Sequence, residues 1–279
     1  MIWYGIDFSG SAEQWRSSRS RTNVWISRLE DEGGDRLVLD LLVPVQEIAG
    51  AGHPFSALCE LLGRRNFLAA GIDAPFSLPA GVLGERAHGA LLRLNDSLDR
   101  GDRPFPKAGD LVAAVLPDLV PRGKKQFRET ERVWQHQGLS VRSTVWAGPR
   151  GGAAMTAACL RLLAESGCPI WPWAPRNATG LLVEAYPAAQ LRAWELCHQK
   201  YADQSEGARA NREAIIRALR QRVDLGAYEE RLASSADAVD AVVAAFAAVA
   251  VTQDTLQSEP PAIAEKEGWI AVHAREVGA

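Results

Sequence analysis

The spacing of apolar and polar positions divides the chain into a succession of elements. Positions 2–7 form a short apolar run ending on an acid, as a buried strand does, and 22–29 and 36–45 predict two further strands. Asp31, Glu32, Gly33 and Gly34 supply the turn between the last two, so the first three strands read as an antiparallel meander. Over 54–65 the residues Phe55, Leu58, Cys59, Leu61 and Leu62 fall at helical spacing, and 67–72 is again a short apolar strand. Strand, helix and strand in that order predict a right-handed crossover and a parallel pair.

Residues 81–150 lose this regularity. They are rich in Gly, Pro and charge, hold one predicted helix over 85–99, and read as a mostly helical and loop insertion into a single α/β domain spanning 1–279. Periodicity returns over 153–165, where Met155, Ala158, Cys159, Leu162 and Leu163 form one helical face closed by Gly167 and Pro169. A strand pair, 170–173 and 181–185, flanks a turn-like Pro-Arg-Asn-Ala-Thr-Gly, and a charged helical stretch follows over 188–222. The last long helix, 236–251, is apolar on nearly every side and must be buried.

At 279 residues with 47% apolar content the chain is near the upper limit for one core. A net charge of −3 argues against a protein that coats nucleic acid, so any polyanion contact must be regional. Cys59, Cys159, Cys168 and Cys197 form no Cys-x-x-Cys pair and the histidines lack zinc spacing, which predicts reduced thiols and no structural zinc. With no leader-like start and no apolar run long enough to span a bilayer, the expectation is a cytoplasmic protein without membrane association. Nothing in the chain sets its oligomeric state.

Acids that interrupt apolar runs carry the chemistry. Asp7 follows Gly-Ile, Asp73 follows Gly-Ile, Glu184 follows Leu-Leu-Val, and Asp237 and Asp240 open the last helix, yet no Lys or Arg lies within three residues of Asp7, Asp73, Glu184 or Asp240. Buried carboxylates need a partner or a metal. Singly, each has a structural competitor: Asp7 and Asp73 can form turns or caps, and Ser234 before Asp237 suggests a capping-box-like start. Glu184, inside a strand-like run, has none. Asp237 and Asp240, at i and i+3, share one helical face, and acids at strand ends can meet them there. A shared Mg²⁺ or Mn²⁺ satisfies such hard oxygen ligands, and two ions about 3.5–4 Å apart would activate water against a phosphate ester.

The segments Gly5-Ile6-Asp7, Gly71-Ile72-Asp73-Ala74-Pro75-Phe76-Ser77-Leu78-Pro79, Val183-Glu184-Ala185-Tyr186-Pro187-Ala188, Asp237-Ala238-Val239-Asp240-Ala241 and Glu267-Gly268-Trp269-Ile270 resemble the successive motifs of the domain of unknown function 429 family. They span almost the whole chain. The resemblance implies a predicted nuclease with the RNase H-like fold, three antiparallel strands followed by helix and parallel-strand units. It also implies roles: Asp7 as first-strand metal ligand, Asp73 as the acid ending the fourth strand, and Asp237 with Asp240 as the paired aspartates of the last helix. Catalysis would fall to Asp7, Asp73, Asp240 and Glu184, with Asp7, Asp73, Asp237 and Asp240 as metal ligands.

A basic stretch, Pro121-Arg122-Gly123-Lys124-Lys125-Gln126-Phe127-Arg128, followed by Arg132, Trp134, Arg142 and Arg150, offers a nucleic-acid (DNA or RNA) contact through Lys124, Lys125, Arg128 and Arg132, with Phe127 or Trp134 stacking on bases. A solvated loop is its competing reading. Glu267 or Lys266 would lie near the site or on a closing edge strand. Two other functions use the same residues: a non-catalytic metal- or ligand-binding protein that keeps the acidic cluster, and an actin-like ATP-dependent phosphotransferase. The second normally needs two copies of the core, and one set of motifs is visible.

Overall fold

The computed structural model describes residues 1–19, 21–34, 36–116 and 126–275. Strands β1 (Ile2–Asp7), β2 (Trp25–Glu30) and β3 (Leu37–Pro44) form the expected antiparallel meander. Strands β4 (Ala69–Asp73), β5 (Leu181–Glu184) and β6 (Val223–Asp224) complete a six-stranded sheet in the order β5-β4-β1-β2-β3-β6. β4 runs parallel to β1, β5 parallel to β4, and β6 parallel to β3, so the sheet is mixed.

Between the strands run α1 (Val45–Ala49), α2 (Pro54–Gly63), α3 (Ala80–Leu83), α4 (His88–Ser97), α5 (Ala108–Val115), α6 (Glu129–His136) and α7 (Ala153–Ser166). After β5 come α8 (Pro187–Ala193), α9 (Glu206–Leu219), α10 (Glu229–Ser234), α11 (Ala236–Thr252) and α12 (Ala264–Glu267). Helices α3 to α6 belong to the predicted insertion. Among the described residues no helix is long and apolar enough to cross a membrane.

Two layers of helices follow from strand parity, since successive side chains on a strand point to opposite faces. Tyr4, Ile6 and Phe8 pack with Ala70 and Ile72 against α2, α5 and α7. On the other face Trp3 and Ala69 meet Ala244, Ala247 and Ala248 of α11. The sequence of α11 is mostly Ala and Val because it lies directly on the sheet. Every residue from Ala241 to Val251 is buried, and each fully buried Val or Phe contributes about 1.5–3 kcal/mol. Gly5 and Gly71 permit this approach: a Cβ on Gly5 would overlap the carbonyl oxygen of Ala241, and one on Gly71 that of Ala244. Opposite Gly5, Ser27 donates its hydroxyl to the same Ala241 carbonyl at 2.9 Å.

Two expectations are corrected. Residues 170–173 do not pair with β5 as a hairpin. Ile170 alone makes an isolated parallel bridge to Leu182, because Pro169 and Pro172 remove ladder donors on either side. The stretch 188–222 is two helices rather than one, broken where Glu195 and Lys200 take left-handed backbone conformations, with φ of 58° and 56°. The loop so created carries Tyr201 toward the sheet end.

Candidate functional site

Asp7 and Asp73 are the last residues of β1 and β4 and stand directly opposite each other in the parallel register. They lie two residues beyond Gly5 and Gly71, so strand parity turns both carboxylates toward the α11 side. There α11 begins. Its N-cap is Ser235, whose hydroxyl accepts from the Ala238 N–H at 3.2 Å, rather than Ser234 as the sequence suggested. Asp237 and Asp240 therefore occupy the first turns of the helix that Gly5 and Gly71 draw onto the sheet.

The four aspartates share one electrostatic environment. Burial lifts Asp7 well above the ordinary carboxylate range, and Asp240, Asp73 and Asp237, in that order, push it further, against a hydrogen bond from the Phe8 backbone. Asp73 is raised by burial, then by Asp240 and Glu184, with Arg142 opposing. Burial brings Asp240 up to about 7, a rise that the Tyr201 hydroxyl opposes and Asp237 reinforces. Asp237 is raised by burial alone. Tyr201 donates to Asp240 Oδ1 at 2.7 Å, and the buried Arg212 anchors the Tyr201 carbonyl.

In front of the cluster lies a cavity of about 400 Å³ whose lining includes Asp7, Asp73 and Asp237, the charged groups Arg128, Glu131 and Glu184, and Arg142 with Gly152. The donor set, four carboxylates and no sulfur or imidazole, suits a hard divalent cation. As the side chains stand, no group of three His, Cys, Asp or Glu among the described residues has a geometry that could hold a metal ion. Repelling carboxylates would have to turn inward to form one.

Glu184 has a different setting. It is in register with Ile72, not Asp73, and so projects from the face opposite α11. There it finds the counter-charge its neighbours in sequence lack. Nη1 of Arg128 donates to Glu184 Oε2 at 2.7 Å and Nη2 donates to Oε1, while the Phe76 N–H reaches Oε2 at 3.0 Å. Arg128 also donates to Glu131 at 3.0 Å and to the Glu267 carbonyl at 3.2 Å. Glu267 in turn accepts from the first N–H of α3, on Ala80, at 2.5 Å and of α6, on Glu129, at 2.6 Å. The counter-charge that a buried Glu184 needs is thus an arginine 56 residues away, beyond the three-residue window in which none was found.

Arg128 was expected to meet nucleic acid, but it is 1% exposed and wholly committed to this ionic knot. Trp134, offered as a stacking residue, packs with Leu139, Ile270 and Val272. Arg132 is exposed, paired with Glu129 at 3.3 Å. Lys124 and Lys125 lie outside the described residues. Sequence reasoning passed over Tyr201, Asn23 and Tyr186 as site residues; the last two line the cavity. Tyr186 stood within a quoted motif, whereas Tyr201 carried no spacing signal at all.

No curated protein and no solved structure matches this chain. Residues 5–265 match one family throughout, and the chain belongs to it: protein of unknown function, DUF429.

Proposed function

We propose that the chain is a divalent-metal-dependent phosphodiester hydrolase, a nuclease with an RNase H-like core. One observation carries this reading: Asp7, Asp73 and the Asp237/Asp240 pair, from three distant stretches, come together at one sheet end, where burial and then neighbouring carboxylates raise the proton affinity of Asp7, Asp73 and Asp240. Holding like charges together in a buried place is costly unless a cation offsets it. The meander followed by parallel strands, with an apolar last long helix on the sheet, supports the RNase H-like assignment.

Mg²⁺ or Mn²⁺ bound by these aspartates would lower the pKa of a bound water and neutralise charge on the leaving oxygen. The chain's own residues set the stage for this. Tyr201 keeps Asp240 oriented and favours its charged form. Asp7, 8% exposed, is the most enclosed of the four, and Asp237 stands at the cavity wall. Exposed Arg142 lines the cavity and gives it a local positive charge that the net charge of −3 conceals, suited to a DNA or RNA backbone.

The test is cleavage of labelled DNA and RNA oligonucleotides in Mg²⁺ and Mn²⁺ by wild type and Asp7→Asn. Wild type is expected to cut and Asp7→Asn to be inactive with a Tm within a few degrees. A variant that cuts as well as wild type refutes the proposal, as does a wild type that neither cuts nor gains thermal stability from Mn²⁺.

A further inference from the structure

Beside the ends of α6 and α8, two further cavities adjoin, for Gln137 and Gln257 line both of them. The smaller, of about 190 Å³, is walled by Trp134, Trp269, Ile270 and Val272, each more than nine-tenths buried. An apolar cavity of about 150 Å³ already holds a benzene ring, so this one has room for an aromatic ring or a branched alkyl group. Its two tryptophans carry the less expected feature. A buried indole N–H ordinarily finds a hydrogen-bond partner, as those of Trp3, Trp15 and Trp173 do. The N–H groups of Trp134 and Trp269 donate to no described residue, and neither nitrogen is sealed within the protein. Two donors therefore stand unused beside an apolar space.

The larger cavity, about 760 Å³ and open to solvent, has the opposite character. Arg192, His198 and Lys200 line it, and none of their side chains pairs with a described residue. The one acid on its wall, Glu195, is paired with Arg275. The carbonyls at the end of α8, which would repel an anion, are taken by the N–H groups of Trp194, Glu195 and Leu196. In a chain of net charge −3 this is a local reversal of sign, and it favours a negative ligand. An apolar pocket with free N–H donors thus leads, past two glutamines, into a positively charged groove.

We infer that the joined cavities are a binding site for a small organic anion, an aromatic or branched-alkyl group that bears a carboxylate, sulfonate or phosphate. The apolar group fills the space between Trp134 and Trp269, an oxygen next to it accepts from an indole N–H, and the acidic group meets Arg192 and Lys200. The site is independent of the hydrolase reading, since none of the four clustered aspartates lines either cavity.

Anilinonaphthalene sulfonate has this chemistry and brightens on leaving water, and phenylnaphthylamine offers the same rings without the charge. Both dyes are titrated by fluorescence against the full chain as wild type, as Arg192→Gln/Lys200→Gln, and as Ser258→Trp, which sets an indole at the mouth of the smaller cavity. All three positions are exposed, so circular dichroism should show each variant melting within a few degrees of wild type. Expected is saturable binding of the sulfonate to wild type and affinity about tenfold lower in both variants. The neutral dye should weaken in Ser258→Trp alone. A folded wild type with no saturable site, or sulfonate affinity unchanged in either variant, overturns the inference.

Discussion

Asp240→Asn is expected to stabilise the metal-free protein above neutral pH. The asparagine keeps an Oδ1 to accept from Tyr201, so the substitution removes charge with little change of shape. Burial holds the folded Asp240 at about 7, against about 3.9 for an unfolded aspartate. Because the folded state keeps its proton longer, the unfolded state binds fewer protons between those values, and stability falls as pH rises from about 4 to about 7. Above that window the loss is complete and constant. Three pH units at about 1.4 kcal/mol each give about 4 kcal/mol, and the partial exposure of Asp240 screens this to about 1–3 kcal/mol.

For a chain of this size that corresponds to about 2–12 °C in Tm. Thermal unfolding followed by circular dichroism at pH 5, 6, 7 and 8 in EDTA reads it directly. The variant should gain on wild type progressively with pH, and added Mn²⁺ should raise wild type more than the variant. A variant that melts at or below wild type at pH 8, with no pH-dependent difference, refutes the idea that burial and a neighbouring carboxylate disfavour ionised Asp240 in the folded state.

Three more outcomes are expected. Gly71→Ala must push α11 off the sheet at the Ala244 carbonyl and should cost about 1–3 kcal/mol or more in urea unfolding; a midpoint within error of wild type contradicts the close approach. Glu184→Ala strands Arg128 without its main counter-charge in the interior and should cost about 3–5 kcal/mol, much of it recovered by adding Arg128→Met. Tyr201→Phe removes the donor that favours ionised Asp240, so its titration, followed by carboxyl carbon NMR, should move to higher pH; a downward move or none counts against that hydrogen bond.

Much of the scaffold was legible because local rules and tertiary demands agree. β1 ends on Asp7 as the apolar run does, and α7 and α11 match their predicted spans to within one residue at each end. The pairing of Asp7 with Asp73 was readable too, since two Gly-Ile-Asp segments ending parallel strands fall into register once the strands are adjacent. β6 was not visible: two residues, Val223 and Asp224, carry no periodicity, and their pairing with β3 depends on where α9 delivers them. The break between α8 and α9 was equally hidden, because left-handed conformations at Glu195 and Lys200 are outside what those residue types predict.

Glu184 marks the boundary between what a sequence window can and cannot decide. Its lack of a cation within three residues was true and misleading, for a folded interior pairs charges through space. Parity held the missing clue. In β5 Leu181 and Val183 pack toward α11, so Glu184 must leave the sheet on the other side, away from the face toward which Asp7 and Asp73 turn. The same reasoning assigns Arg128 its place: the insertion that separates β4 from β5 folds back over that face and contributes the arginine. One sheet end thus carries two acidic environments with opposite solutions. On the α11 side the aspartates repel one another, on the other a guanidinium neutralises Glu184, and both sets line the same cavity. A carboxylate with both oxygens held by one arginine has less left to offer a ligand, yet Glu184 still lines the cavity with Asp73 and raises that residue's proton affinity.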